Sequence, residues 1–479
     1  DLQSAVFTRS RPSKTMLPRA KTKIGAGGKR VSDIAADRET APVAAAAPHA
    51  GHGTKPYRAY LLGVLMVIYA INLLDRGLVA LLQEKIKPEF HLSDFELGLL
   101  GGPAFALCNA MAGLPVARLA ERFNRIGVLA VCTALWSVMT ALCGLAVSFP
   151  MLLLARFGVG IGEAGCLPPT QSVISDYFPA NKRASAISIH LTAIPIGGIL
   201  AAMIGGVVAD QFGWRMAFMV LGAPGILIAL ICWLTVKEPP RGDAASVGAQ
   251  KADAPSFGAA MRELASKPSF WHIAVATGLV NFVAVGNGQY LVSFMLRVHH
   301  ISLTSVGLIL GPLVGGLTVA SVWAVGKILS YLSEKDRAWL ARWPGIGVAL
   351  GVPVSICAYL APSMWIMVPL QLVGLLCTNA YLISLYTTAQ GVVQPRVRAT
   401  ATAVVIMVIN LIGYGVGPPV IGALSDFLKD HVVALGLSDP SHAAAQGLRY
   451  ALICGSLVNL WASAHYLIGA TRLKRDWVG

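Results

Sequence analysis

YLLGVLMVIYAINLLDRGLVALL, residues 60–82, is apolar throughout except for Asn72 and the adjacent pair Asp75-Arg76. A hydrocarbon core ~30 Å thick takes about 20 apolar residues of helix to cross, and this run supplies them. Inside lipid the backbone has no water to bond, so a spanning segment of this kind has to be helical. The charged pair sits about two-thirds of the way along, where insertion of an ionised side chain costs roughly 2.5–3.5 kcal/mol. One run therefore predicts both a membrane helix and a reason to keep charge inside it.

The pattern repeats outward from there. Further helices are predicted near 95–117, 127–147, 150–174, 184–209 and 214–236, and a second set near 269–296, 303–328, 343–361, 363–388, 398–424 and 447–470. Short breaks such as Ser148-Phe149-Pro150 and Ala361-Pro362-Ser363 separate them. The composition agrees, at 55% hydrophobic and only 13% charged, against about a quarter charged for soluble domains. The fold expected is an all-α membrane protein of twelve transmembrane helices in two six-helix bundles. The boundaries read as a basic, disordered tail over 1–56, a first bundle over 57–238, a connection over 239–268, a second bundle over 269–471 and a short tail over 472–479.

Lysine and arginine set the orientation. With both termini cytoplasmic, Arg118, Arg122, Arg125, Lys182, Arg183, Arg396 and Arg398 fall in inner loops, and about thirty of the 38 basic residues lie inside. The formal charge of +15 is then topological, and no nucleic-acid partner is expected. The tail either targets the chain or rests on anionic lipid. All eight cysteines fall within predicted helices with no CxxC pair, so neither a disulfide framework nor a metal site is predicted. No catalytic set and no phosphate-binding Gly-rich loop is present, so no cofactor is expected beyond an ion gradient.

Charge inside the helices marks the candidate site. The first half holds Asp75, Arg76, Arg156, Glu163 and His190, with Asn72 one turn before Asp75. Neighbours on a helix point about 100° apart, so Asp75 and Arg76 are expected to face different partners. Arg156 and Glu163 are two turns apart and share a face, roughly 10.5 Å from each other along the axis. Either these four groups form a buried network that fixes packing, or a carboxylate among them, Asp75 or Glu163, takes up and releases a proton. The second half offers His465, with His272, Arg297 and Lys327 near helix ends, and neutral groups: Asn281, Gln289, Tyr290, Asn379, Tyr381 and Tyr414. A cavity charged on one wall and neutral on the other suits an amphipathic solute with an ionic head.

The loop Ala117-Arg118-Leu119-Ala120-Glu121-Arg122-Phe123-Asn124-Arg125 resembles the signature G-x-L-A-D-R-x-G-R of the major facilitator superfamily. The corresponding stretch of the second half, Gly326-Lys327-Ile328-Leu329-Ser330-Tyr331, has Ser where the acid is expected. The resemblance implies that Glu121, Arg122 and Arg125 form a cytoplasmic gate between the halves. Within the superfamily, Asn72-x-x-Asp75-Arg76, Arg156-Phe157-Gly158-Val159-Gly160-Ile161-Gly162-Glu163-Ala164, Ser175-Asp176-Tyr177-Phe178-Pro179 and Ala193-Ile194-Pro195-Ile196-Gly197-Gly198 resemble the Spinster-like transporters of lysolipids and sphingoid phosphates. That implies proton coupling at Asp75 and Arg76, and a central cavity holding Glu163 and Arg156. The anion–cation symporter branch shares the helix 1 motif, and a small organic anion is its solute. A monomeric carrier in a bacterial inner membrane, in contact with lipid, is expected; a membrane-embedded enzyme and a transporter-fold receptor are the rival classes.

Overall fold

The computed structural model describes residues 52–240, 256–436, 439 and 442–478. Residues 1–51 of the tail expected over 1–56, and residues 241–255 of the connection expected over 239–268, lie outside the described residues. Eleven continuous stretches are long and apolar enough to cross a membrane. They are α1 Lys55–Ile86, α2 Asp94–Arg122, α3 Arg125–Cys143, α4 Phe149–Tyr177, the joined stretch Asn181–Thr235, α7 Pro268–His299, α8 Leu303–Lys335, α9 Trp339–Leu360, α10 Met364–Gly391, α11 Thr400–Ala434 and α12 Ala443–Asp476. The joined stretch is two helices. At Gly213 the backbone takes φ 84, ψ 165, a conformation open to glycine and strained for other residues. The chain turns back there, so that Gly205 and Leu221 are neighbours. We call the two arms α5 (181–212) and α6 (214–235), which makes twelve helices; no strand occurs among the described residues.

Helix starts follow the breaks in the sequence. Ser148 caps α4 through the Met151 amide at 3.4 Å, and Ser363 caps α10 through the Trp365 amide at 3.3 Å. Both α4 and α10 then begin with the apolar runs that those breaks delimit. The connection between the halves carries a short helix, Phe257–Ala265, capped by Ser256. The last helix runs to Asp476, four residues beyond the expected start of the C-terminal tail.

The apolar core has a fork. At the end away from the described termini, one cluster runs across both halves and joins Leu78, Leu82 and Phe218 to Tyr290, Phe294 and Leu303. Towards the termini it divides into a cluster confined to the first half, around Leu65, Trp136 and Val173, and one confined to the second, around Phe270, Leu385 and Tyr466. The halves are thus joined at one end and part at the other. Close approach at the joined end depends on small residues: a side chain at Gly206 would strike the Leu303 carbonyl, and one at Gly307 the Ala202 carbonyl.

Candidate functional site

Asp75 and Arg76 diverge as their spacing on α1 requires. The Asp75 carboxylate is completely buried and accepts a hydrogen bond from Thr140 Oγ1 of α3 at 3.0 Å, while its other oxygen has no partner. Arg76 turns to α4 and donates from Nε to Glu163 Oε2 at 2.7 Å. The Glu163 side chain is fully buried in that pair and its second oxygen is unpartnered. Asn72, one turn before Arg76, lies beside Glu163 without closing a hydrogen bond.

Arg156 stands lower on the same face of α4, 1% exposed, with Nε and Nη1 unpartnered. It lies within electrostatic reach of both Asp75 and Glu163. Both guanidiniums lie over the Phe105 ring of α2, at 4.8 Å for Arg76 and 6.0 Å for Arg156. The ring holds two cations on one wall without neutralising either. An unpaired, desolvated guanidinium beside a paired one is a receptor for a phosphate or carboxylate, because the fork geometry accepts two anionic oxygens.

His190 of α5 is buried and stacks on Tyr69 with ring centroids 4.8 Å apart; neither of its ring nitrogens has a partner. Facing this wall, Asn281 donates to the Tyr381 hydroxyl at 3.3 Å. Tyr414 lies within electrostatic reach of Arg76 and of Tyr381, on a π-helical stretch of α11, Asn410–Val416. Stretches of this kind concentrate at functional sites. Thus Asn72, Asp75, Arg76, Arg156, Glu163, His190, Asn281, Tyr381 and Tyr414 meet around one space. Phe105, Thr140 and Tyr69 belong with them and were missed. Tyr69 had a signal, since it is two turns before Arg76 on α1.

Gln289 and Tyr290 are placed elsewhere. They are two turns further along α7 than Asn281, at the joined end. There Gln289 donates to Gln83 Oε1 at 2.8 Å and Tyr290 donates to the Asp94 carbonyl at 2.5 Å. Around them Arg297 of α7 pairs with Glu84 at 2.6 Å and Asp94 at 2.7 Å, and Lys87 reaches Asp94 at 2.5 Å. The amides of Asp94 and Phe95 bond to the Asp426 carboxylate of α11 at 3.0 and 2.8 Å. In the loop nearby, the hydrogen bond from Arg215, helped by Trp214, holds the Glu89 carboxyl below its ordinary range. This polar seal was not foreseen as a unit.

The signature loop divides its residues. Arg125 is buried and bonds to Asp176 at 2.5 Å, Ser172 at 2.7 Å and Glu238 at 2.6 Å, tying the ends of α3, α4 and α6 within the first half. Glu121 and Arg122 are exposed. Arg125→Ala leaves buried Asp176 without its cation, so a loss of about 3–5 kcal/mol is expected. A fall in the thermal unfolding midpoint of the purified protein measures it, and an unchanged midpoint would remove this structural role.

Residues 65–418 match the family profile described as Major Facilitator Superfamily. The chain is similar to an MFS-type efflux pump of Mycolicibacterium smegmatis, with 31% identity over 427 residues that cover 89% of this chain and 95% of the relative. It is also similar to the sphingosine-1-phosphate transporter SPNS2 of Danio rerio, with 26% identity over 77% of this chain and 76% of the relative. A solved structure of a bacterial homolog of the human lysosomal transporter Spinster, inward-facing and unoccupied, aligns with a TM-score of 0.80 and 32% identity, covering 89% of this chain and 100% of that one.

Proposed function

The chain belongs to the Major Facilitator Superfamily and is Spinster-like within it, and from that premise we propose that it is a proton-coupled carrier of an amphipathic solute with an anionic head. Its relatives are transporters, not enzymes. The observation that carries the reading is the Arg156 guanidinium, buried, with two nitrogens unpartnered, beside the paired Arg76 and Glu163. An anionic head bonds to Arg156 first. The bound anion then masks Arg156 from Asp75, which takes up the proton, while Glu163 holds Arg76 in place beside the same anion, so that solute and proton are taken up together. The neutral wall of Asn281, Tyr381 and Tyr414 faces the rest of the molecule. The name of the SPNS2 relative supports a lysolipid or sphingoid phosphate as the solute class.

Transport proceeds by alternating access: the joined end opens as the parted end closes around the site. Both termini lie on the cytoplasmic side of a bacterial inner membrane in this reading. Its support is the gathering of Arg118, Arg122, Lys182, Arg183 and Arg396 at the parted end.

Arg76→Ala and Arg156→Ala test the solute class. Each is expected to weaken binding of a lysophosphatidate by about tenfold or more, in line with a charge-assisted hydrogen bond, with the larger loss for Arg156. Binding isotherms in nanodiscs give the comparison, with sugar acids alongside. Unchanged lysolipid affinity in both variants, or binding of the sugar acids alone, would move the protein to the small-anion branch.

A further inference from the structure

The second half contains a cavity of about 330 Å³ between α7, α8, α9, α10 and α12. Tyr381 stands at its edge, and the bond from Asn281 to Tyr381 joins it to the neutral wall of the central site. None of the residues lining the cavity bears a formal charge. A cavity that merely holds a hydrocarbon chain needs only apolar walls, yet this one is lined by amides and hydroxyls as well. Several of them are already committed. Asn287 spends its amide hydrogens on the Leu452 carbonyl at 2.9 Å and on Ser456 at 3.1 Å, and Ser456 donates onward to Leu452 at 2.8 Å.

Three lining residues are left incomplete. Asn287 Oδ1 and Asn459 Oδ1, both acceptors, and Gln371 Nε2, a donor, are buried without a hydrogen-bond partner. Buried polar atoms are normally paired, so each of these calls for a group that the chain itself does not supply. A hydroxyl can pair with either kind of group, because it donates one hydrogen and accepts another. A methylene satisfies neither. We infer that this cavity receives the apolar part of the transported molecule and selects a chain that carries a hydroxyl group. This deepens the proposed function and rests on it for the anionic end of the ligand.

The test uses lysophosphatidates with an unsubstituted octadecanoyl chain or one bearing a hydroxyl at carbon 3, 9 or 12, bound to the full chain in nanodiscs. One hydroxylated chain is expected to bind about tenfold more tightly than the plain one, the worth of about one neutral hydrogen bond. Asn459→Leu and Gln371→Leu should each reduce that ratio to about one, and neither residue touches the arginine wall. Gly288→Leu fills the cavity, since nothing lies within 4 Å of a side chain begun there, and it should weaken the plain chain too. Equal affinity across the series, or a preference that survives both leucine variants, overturns the inference and leaves a water-filled cavity. If no lysophosphatidate binds at all, the proposed function has failed instead. The cavity is then decided by 5-decanol against decane, scored by the rise in unfolding midpoint. A greater rise with the alcohol that Asn459→Leu removes upholds the inference, and equal rises overturn it.

Discussion

Asp75→Asn is expected to abolish proton-driven accumulation while leaving solute exchange intact. A proton taken up with a singly charged anion moves no net charge, so the pH difference drives it: one pH unit is worth about 1.4 kcal/mol and holds a solute gradient of roughly tenfold, whereas the variant should hold about onefold. The substitution is well matched to the site. Thr140 donates to Asp75 at 3.0 Å, and an asparagine carbonyl accepts that bond in the same place. No cation is hydrogen-bonded to Asp75, so no ion pair is broken. What disappears is the capacity to carry a proton. Glu163→Gln differs, because it removes the partner of Arg76 and should slow exchange as well as accumulation. Accumulation in proteoliposomes under an imposed proton gradient, set beside counterflow without one, separates the two variants. Wild-type accumulation in both would make the four buried charges a packing network, and a wild type that only equilibrates the solute whatever the proton gradient would make the protein a facilitator.

The contrast between those variants shows how far sequence reasoning reaches here. The divergence of Asp75 from Arg76, and the shared face of Arg156 and Glu163, follow from helix geometry alone and hold in the structure. That Arg76 chooses Glu163 does not follow, because the partners are 87 residues apart and the choice depends on how α1 meets α4. Helix spans were legible because lipid demands about 20 apolar residues each time, and Ser148 and Ser363 punctuate them as caps. Residues with two plausible settings were harder. Gln289 and Tyr290 look like cavity groups on a buried helix, yet two turns separate them from Asn281, which carries them from the site into the seal. The signature loop has the same difficulty: Arg125 finds Asp176 and Glu238 only after α3, α4 and α6 have assembled. A cavity enclosed by five helices has no local pattern at all.

The seal itself supports the other large effect, in which Asp94→Ala shifts the carrier towards a state open at the joined end. Asp94 is the hub of that seal. Its carboxylate accepts from Lys87, from Arg297 through Nη1 at 2.8 Å and Nη2 at 2.7 Å, and from Ser425 at 2.6 Å. Its side chain is only 3% exposed, and that of Arg297 only 10%. Removing one partner of a buried pair costs about 3–5 kcal/mol, chiefly because the other charge remains desolvated. That cost falls on the sealed state alone, since opening lets water reach Arg297 and Lys87. The equilibrium between the states should therefore move by about two to three and a half powers of ten. Spin labels at Val147→Cys and Trp365→Cys, both highly exposed positions near that end, read the change once exposed Cys357 and Cys454 are replaced. The expected result is a longer distance in Asp94→Ala than in wild type. Arg297→Ala should shift it less, because Asp94 keeps Lys87 and Ser425. The double variant Asp94→Ala/Arg297→Ala should return towards wild type, since Glu84 and Lys87, the partners left behind, are opposite charges three residues apart at the end of α1 and can pair with each other. A double variant more open than Asp94→Ala would mean that mutual attraction, rather than desolvation of an unpaired charge, holds the end shut.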